Sequence, residues 1–106
     1  MANFIFNTTF TINDSAQQWW IQWMHQNYVV AIKNVAPSAS VELYAIDGTA
    51  TAGSRSYSAM WRCTTLQELG AVRTESMRQC QKLLALQGER CLSFSTLMRG
   101  LPLETP

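Results

Sequence analysis

Residues 3–12, NFIFNTTFTI, alternate in a period of two, and no other segment limits the fold as strongly. Phe4, Phe6, Phe10 and Ile12 fall on one side of an extended chain, with Ile5, Asn7, Thr9 and Thr11 on the other. Successive side chains of a strand point to opposite faces, so this pattern, rich in β-branched and aromatic residues, reads as a half-buried strand. The phenylalanine side is the one to be covered. The opposite choice would bury Asn7, Thr9 and Thr11 and leave three phenylalanines in water. The fold therefore contains a sheet with one packed face and one open face.

The pattern then changes period. Asp14 offers a side-chain oxygen to the free amides of a helix, and Gln17 stands three residues on, as in a capping box. Ala16, Trp19, Trp20, Trp23, Met24 and Ala31 keep helical spacing, and Ile21, Tyr28 and Ile32 widen the stripe. The helix should end near Lys33–Asn34, because Val35-Ala36-Pro37 cannot continue it. Residues 41–46 read as a second strand, followed by a small-residue loop to Ser54 that is expected to be mobile. A third strand, 55–63, sets Tyr57, Ala59 and Trp61 against Ser58, Met60 and Arg62.

Thr65-Leu66-Gln67-Glu68 is a second capping box. Leu66, Leu69, Val72, Met77, Cys80, Leu83 and Leu84 form the expected buried face of its helix, with Gly88 as the C-cap. Residues 91–98 read as a last strand, Leu92, Phe94 and Met98 alternating with Cys91, Ser93, Ser95 and Leu97. The order β-α-β-β-α-β defines an α+β, ferredoxin-like fold. It is a four-stranded antiparallel sheet of order 4-1-3-2 with two helices on one face, since crossovers are right-handed. Residues 1–98 make a single domain, and 99–106, with a glycine and two prolines, an irregular tail.

The charge balance excludes some functions. The eight basic residues are scattered and the net charge is +1, so the basic patch that nucleic-acid binding needs is missing. An open face of Asn, Thr, Ser and Met also lacks the stacking aromatics of an RNA-recognition sheet. No apolar run is long enough to span a bilayer, and the N-terminus lacks the pattern of a signal peptide. A cytoplasmic protein away from membranes is expected. Cys63, Cys80 and Cys91 have no CxxC spacing and there is one histidine, so neither a zinc site nor any cofactor is expected, and the thiols should be reduced.

Function is expected on the open face. It should carry Ile5, Asn7, Thr9, Thr11, Ser58, Met60, Arg62, Ser93, Ser95 and Leu97, joined by Glu42 and Tyr44 if the second strand has that register. Of these, Asn7, Thr9, Tyr44, Ser58, Met60, Arg62, Ser93 and Ser95 are the candidate binding residues. The mixture of apolar and hydroxyl groups suits either the stacking of two sheets in a homodimer or a cleft for a small-molecule ligand. The expectation is a non-enzymatic homodimeric domain, with a small cofactor-independent enzyme of the oxygenase or isomerase kind as the alternative. His25 lacks an orienting partner in sequence and reads as an exposed helical residue. The carboxylates Glu42, Asp47 and Glu68 have no paired spacing, and no phosphate loop or nucleophile elbow is present. Three tryptophans in five residues exceed what one small core encloses, which leaves Trp19 partly exposed.

The opening FIFNTTF, Trp20-x-x-Trp23-Met24, Tyr57-Ser58, Thr65-Leu66-x-x-Leu69 and Phe94-Ser95-Thr96-Leu97-Met98 occur in this order over most of the chain. Together they resemble a small bacterial family known as domain of unknown function 4286. The resemblance implies a ferredoxin-like domain akin to the dimeric α+β barrels, with no assigned activity. The chain departs from that pattern at Tyr28-Val29-Val30, where a His-Ile-Pro is expected, and at Met60, where a Gln is expected.

Overall fold

The computed structural model describes residues 4–48 and 52–101, so the centre of the loop before Ser54 and most of the C-terminal tail lie outside it. Strand β1 (Phe4–Asn13) leads into a short 3-10 turn (Asp14–Ala16) and then helix α1 (Gln17–Trp23). A π-helical turn (Met24–Tyr28) joins α1 to α2 (Val29–Val35) without a break in the helix. Strands β2 (Ser40–Ile46) and β3 (Ser54–Cys63) follow, then α3 (Leu66–Gln87), a 3-10 turn (Gly88–Arg90) and β4 (Cys91–Arg99).

The four strands form one antiparallel sheet in the order β2-β3-β1-β4, which read from the β4 edge is 4-1-3-2. The central pair is in full register from Phe4 opposite Cys63 to Asn13 opposite Ser54. Phe6, Phe10, Ile12, Ala59, Trp61 and Cys63 are buried beneath the helices, as the alternation of β1 and β3 requires.

Local chemistry explains the helix ends. The first cap is Asn13, one residue earlier than the Asp14 expected: its side-chain oxygen accepts from Ser15 N at 2.9 Å and starts the 3-10 turn. Gln17 reaches back instead, its Nε2 donating to the Ile12 carbonyl at 2.8 Å. Thr65 caps α3 by accepting from Glu68 N at 3.1 Å, while the Glu68 carboxylate accepts from Thr64 N at 3.0 Å. Gly88 closes α3 at φ +58, a conformation that costs glycine little, and its amide donates to the Leu84 carbonyl.

Along the first helix Ala16, Trp20, Met24, Tyr28, Ile32 and Ala36 are buried, a strict spacing of four. On a 3.6-residue helix such a row slides sideways by about 40° per step. The wider π turn over Met24–Tyr28 rotates each residue less and brings the row back over the sheet. Ile21, expected in the stripe, is exposed, because it precedes that correction.

On α3 the buried positions are Val72, Ser76, Gln79 and Leu83. Leu66, Met77 and Leu84, expected in the core, are exposed: Leu66 stands in the first turn, and the other two face sideways toward β4. The core is aromatic at its centre. Tyr28 meets Phe10 edge-on at 5.6 Å between ring centres, and Trp20 stacks on Tyr57 at 4.7 Å. Trp20 and Trp23 are enclosed, and Trp19 is left 38% exposed against Trp23.

Candidate functional site

Among the described residues no helix covers the second face of the sheet, and register assembles it into four rows running from β2 to β4. Asn7 lies between Met60 and Thr96, with Glu42 beyond Met60; Thr9 lies between Ser58 and Phe94, with Tyr44 beyond Ser58. The outer rows are Ser40-Arg62-Ile5-Met98 and Ile46-Ser56-Thr11-Leu92. The structure thus brings Asn7, Thr9, Tyr44, Ser58, Met60 and Arg62 onto one surface, together with Glu42.

Ser93, Ser95 and Leu97 are not on that surface. Ser93 pairs with Phe10, Ser95 with Thr8 and Leu97 with Phe6, all on the helix side. The open face takes Leu92, Phe94, Thr96 and Met98 instead. The physical reason is the register set by the buried start of the strand. Cys91, following the 3-10 turn, pairs with Ile12 on the covered face, and every later residue alternates from there.

The open face is graded across the strands. Its centre is a hydroxyl and amide ladder: Ser58 Oγ donates to Asn7 Oδ1, Asn7 Nδ2 donates to Thr9 Oγ1 at 3.2 Å, and Thr11 and Ser56 hydroxyls meet at 3.3 Å. Toward β2 it becomes charged. The Glu42 carboxylate accepts from Tyr44 Oη at 2.7 Å and from Arg62 Nε at 3.0 Å. The Tyr44 hydrogen bond, followed by that from Arg62, holds Glu42 below the usual carboxylate range, and the same bond raises Tyr44. Toward β4 it becomes apolar, with Phe94 63% exposed and Leu92 and Met98 also in water.

On the helix side, pattern reading missed a buried polar network. Tyr28 Oη accepts from Trp61 Nε1 at 3.3 Å and lies 2.8 Å from Ser76 Oγ. Ser76 Oγ is 3.4 Å from Thr8 Oγ1, which is 3.0 Å from Ser95 Oγ. Burial pushes the Tyr28 phenol up despite its hydrogen bonds to Ser76 and Trp61. The available signal was Ser76, a hydroxyl four residues after Val72 and seven before Leu83 on the same helix face. His25 is exposed on the π turn. The described residues contain no group of three or more His, Cys, Asp and Glu able to hold a metal ion.

A one-sided antiparallel sheet with this topology defines a ferredoxin-like domain. The chain belongs to the family described as Domain of unknown function (DUF4286), whose model matches residues 3–101. No curated protein matches it. Solved structures of the same fold include a dimeric ferredoxin-like protein from an uncultured marine organism, 10% identical over 96% of this chain and 98% of that one, with a TM-score of 0.72. An EthD family protein from Bacillus halodurans is 13% identical over 94% of this chain and 99% of that one, with a TM-score of 0.53. A de novo designed protein, Foldit4, is 9% identical over 94% of this chain and 98% of that one, with a TM-score of 0.63.

Proposed function

We propose that the chain acts as a homodimer whose open sheet faces meet, enclosing a site for a small ligand or an interacting group, without catalysing a reaction. The observation that carries this is the apolar third of the open face. Leu92, Phe94 and Met98 stand in water on an edge strand whose outer backbone groups are unpaired. Left uncovered, such an edge invites aggregation; covered by a second copy, it gives the face a dry rim around the Asn7, Thr9 and Ser58 ladder. The description of the marine relative as a dimeric ferredoxin-like protein agrees with this reading.

A small cofactor-independent enzyme in the same cleft would need a base on this face, and Glu42 is its carboxylate. Two hydrogen bonds stabilise that carboxylate as the anion, which makes it a weak proton acceptor and favours the binding role. Sedimentation velocity tests the assembly. Wild type should run as a dimer at about 10 μM, consistent with an interface on the order of 1,200–2,000 Å² in total, and Phe94→Asp should run as a monomer. A monomeric wild type at that concentration would remove the proposal's support.

A further inference from the structure

A cleft of about 590 Å³ lies on the helix side of the sheet, between α3 and β4. Small-molecule sites span roughly 300–1,000 Å³. Phe6 forms part of its lining, with Met77 and Leu84, two turns apart on α3, and Leu97 of β4. All three of these outer side chains are about half exposed: Met77 47%, Leu84 53% and Leu97 49%. The cleft exists because β4 presents small hydroxyl residues, Ser93 and Ser95, where a larger side chain would have closed the gap to α3. Leu92 and Phe94, at the β4 edge of the open face, complete its rim.

Its polar lining is Arg73, Gln81, Ser93 and Ser95, of which Ser95 ends the buried hydroxyl network. An indole N–H only donates, so Trp61 fixes Tyr28 Oη as an acceptor, and the phenol proton must go to a neighbouring hydroxyl. The hydroxyls of Tyr28, Ser76, Thr8 and Ser95 form a continuous chain in which each oxygen can donate or accept. The Cys80 thiol also lies against Ser76 and Ser93. Ser95, at the end of this chain, lines the cleft, and its hydroxyl can donate to a bound group. Arg73 also lines the cleft, three residues before Ser76 and so within one turn of the level that Ser95 marks. Among the described residues, the ion pairs are Arg62 with Glu42 and Arg78 with Glu75, and Arg73 has none.

We propose that this cleft binds a small amphipathic anion, a carboxylate with an aliphatic body. The head group accepts from Ser95 Oγ and pairs with Arg73, and the body lies along Met77 and Leu84. From Arg73 to Leu84 the helix rises about 16 Å, room for a chain of some eight carbons.

Octanoate and octan-1-ol, which share a chain and differ in charge, test the proposal when titrated into the 15N-labelled protein. Octanoate should give saturable shifts in the amides of residues 77–84 and 93–97, and octanol should bind about 10-fold more weakly. Arg73→Gln should reduce octanoate affinity about 10-fold and leave octanol unaffected. Ser93→Trp, in a variant shown by urea unfolding to be folded, should abolish both by filling the cleft. Shifts mapping to Glu42, Met60 and Thr96, equal affinity for the two probes, or no saturation by about 10 mM would each overturn it.

Discussion

Trp61 Nε1 donates to Tyr28 Oη across 3.3 Å, joining the third strand to the π-helical turn inside the aromatic core. Tyr28→Phe removes the phenol and leaves both that N–H and Ser76 short of a partner. The expected cost is about 1–3 kcal/mol, the penalty of an unsatisfied buried polar group. Because Tyr28 and Ser76 share one network, Tyr28→Phe combined with Ser76→Ala should cost less than the two singles added together. Urea unfolding of the four proteins gives the comparison, and strict additivity would show that the hydroxyls do not act as a chain.

Trp20 and Trp61 are both fully buried, but Trp20 Nε1 has no hydrogen-bond partner. Replacing either by Phe deletes the same volume, so the cavity contribution is similar and the hydrogen bond makes the difference. Trp61→Phe should be the more destabilising by about 1 kcal/mol. Equal midpoints in thermal melts would mean that the Trp61 contact contributes nothing net.

Burial raises all three thiols, and at Cys63 the Glu68 carboxylate adds to it, pushing the thiol up to about 11. The folded state then holds these protons more tightly than the unfolded chain does. Their contribution is complete below the ordinary thiol range and is lost as the pH rises from about 9 toward 11. The melting temperature should therefore fall across that window, and Cys63→Ala should flatten part of the fall. Below about pH 8 native thiols should react slowly with iodoacetamide, since the thiolate is the reactive form. Rapid alkylation of the folded protein there would contradict the burial argument.

Met60 and Gln81 lie on opposite sides of the sheet, the first on the open face beside Asn7 and Glu42 and the second on the cleft. Met60→Arg adds a charge that an apolar interface would have to desolvate, and each copy would present it to the other. It should shift sedimentation from dimer toward monomer, whereas Gln81→Arg should leave association unchanged. The reverse result would move the interface to the helix side.

Phe4, Phe6, Phe10 and Ile12 all belong to one side of β1, and on the other side only Ile5 is apolar, so the orientation of the central strand was legible from its residues. The same holds for Tyr57, Ala59 and Trp61 of β3, and therefore for Asn7, Thr9, Ser58, Met60 and Arg62 on the open face. β4 is different. Leu92, Phe94 and Met98 make the more apolar side, and a rule that buries the apolar side turns the strand over. In the folded chain they are the exposed set on the open face, and Ser93 and Ser95 face the helices.

The residues by themselves determined the element order, the parity of the two central strands and the cap of α3, because each rests on interactions within a few positions or on one unopposed hydrophobic face. The tertiary structure alone decided the parity of β4, the cleft beside it and the hydroxyl chain from Tyr28 to Ser95. β4 is an edge strand with apolar groups on both sides, so its own pattern does not choose between them. The choice comes from pairing Cys91 with Ile12, and from Thr8, Ser76 and Tyr28, which lie far apart in sequence and meet Ser95 only when α3 packs on the sheet.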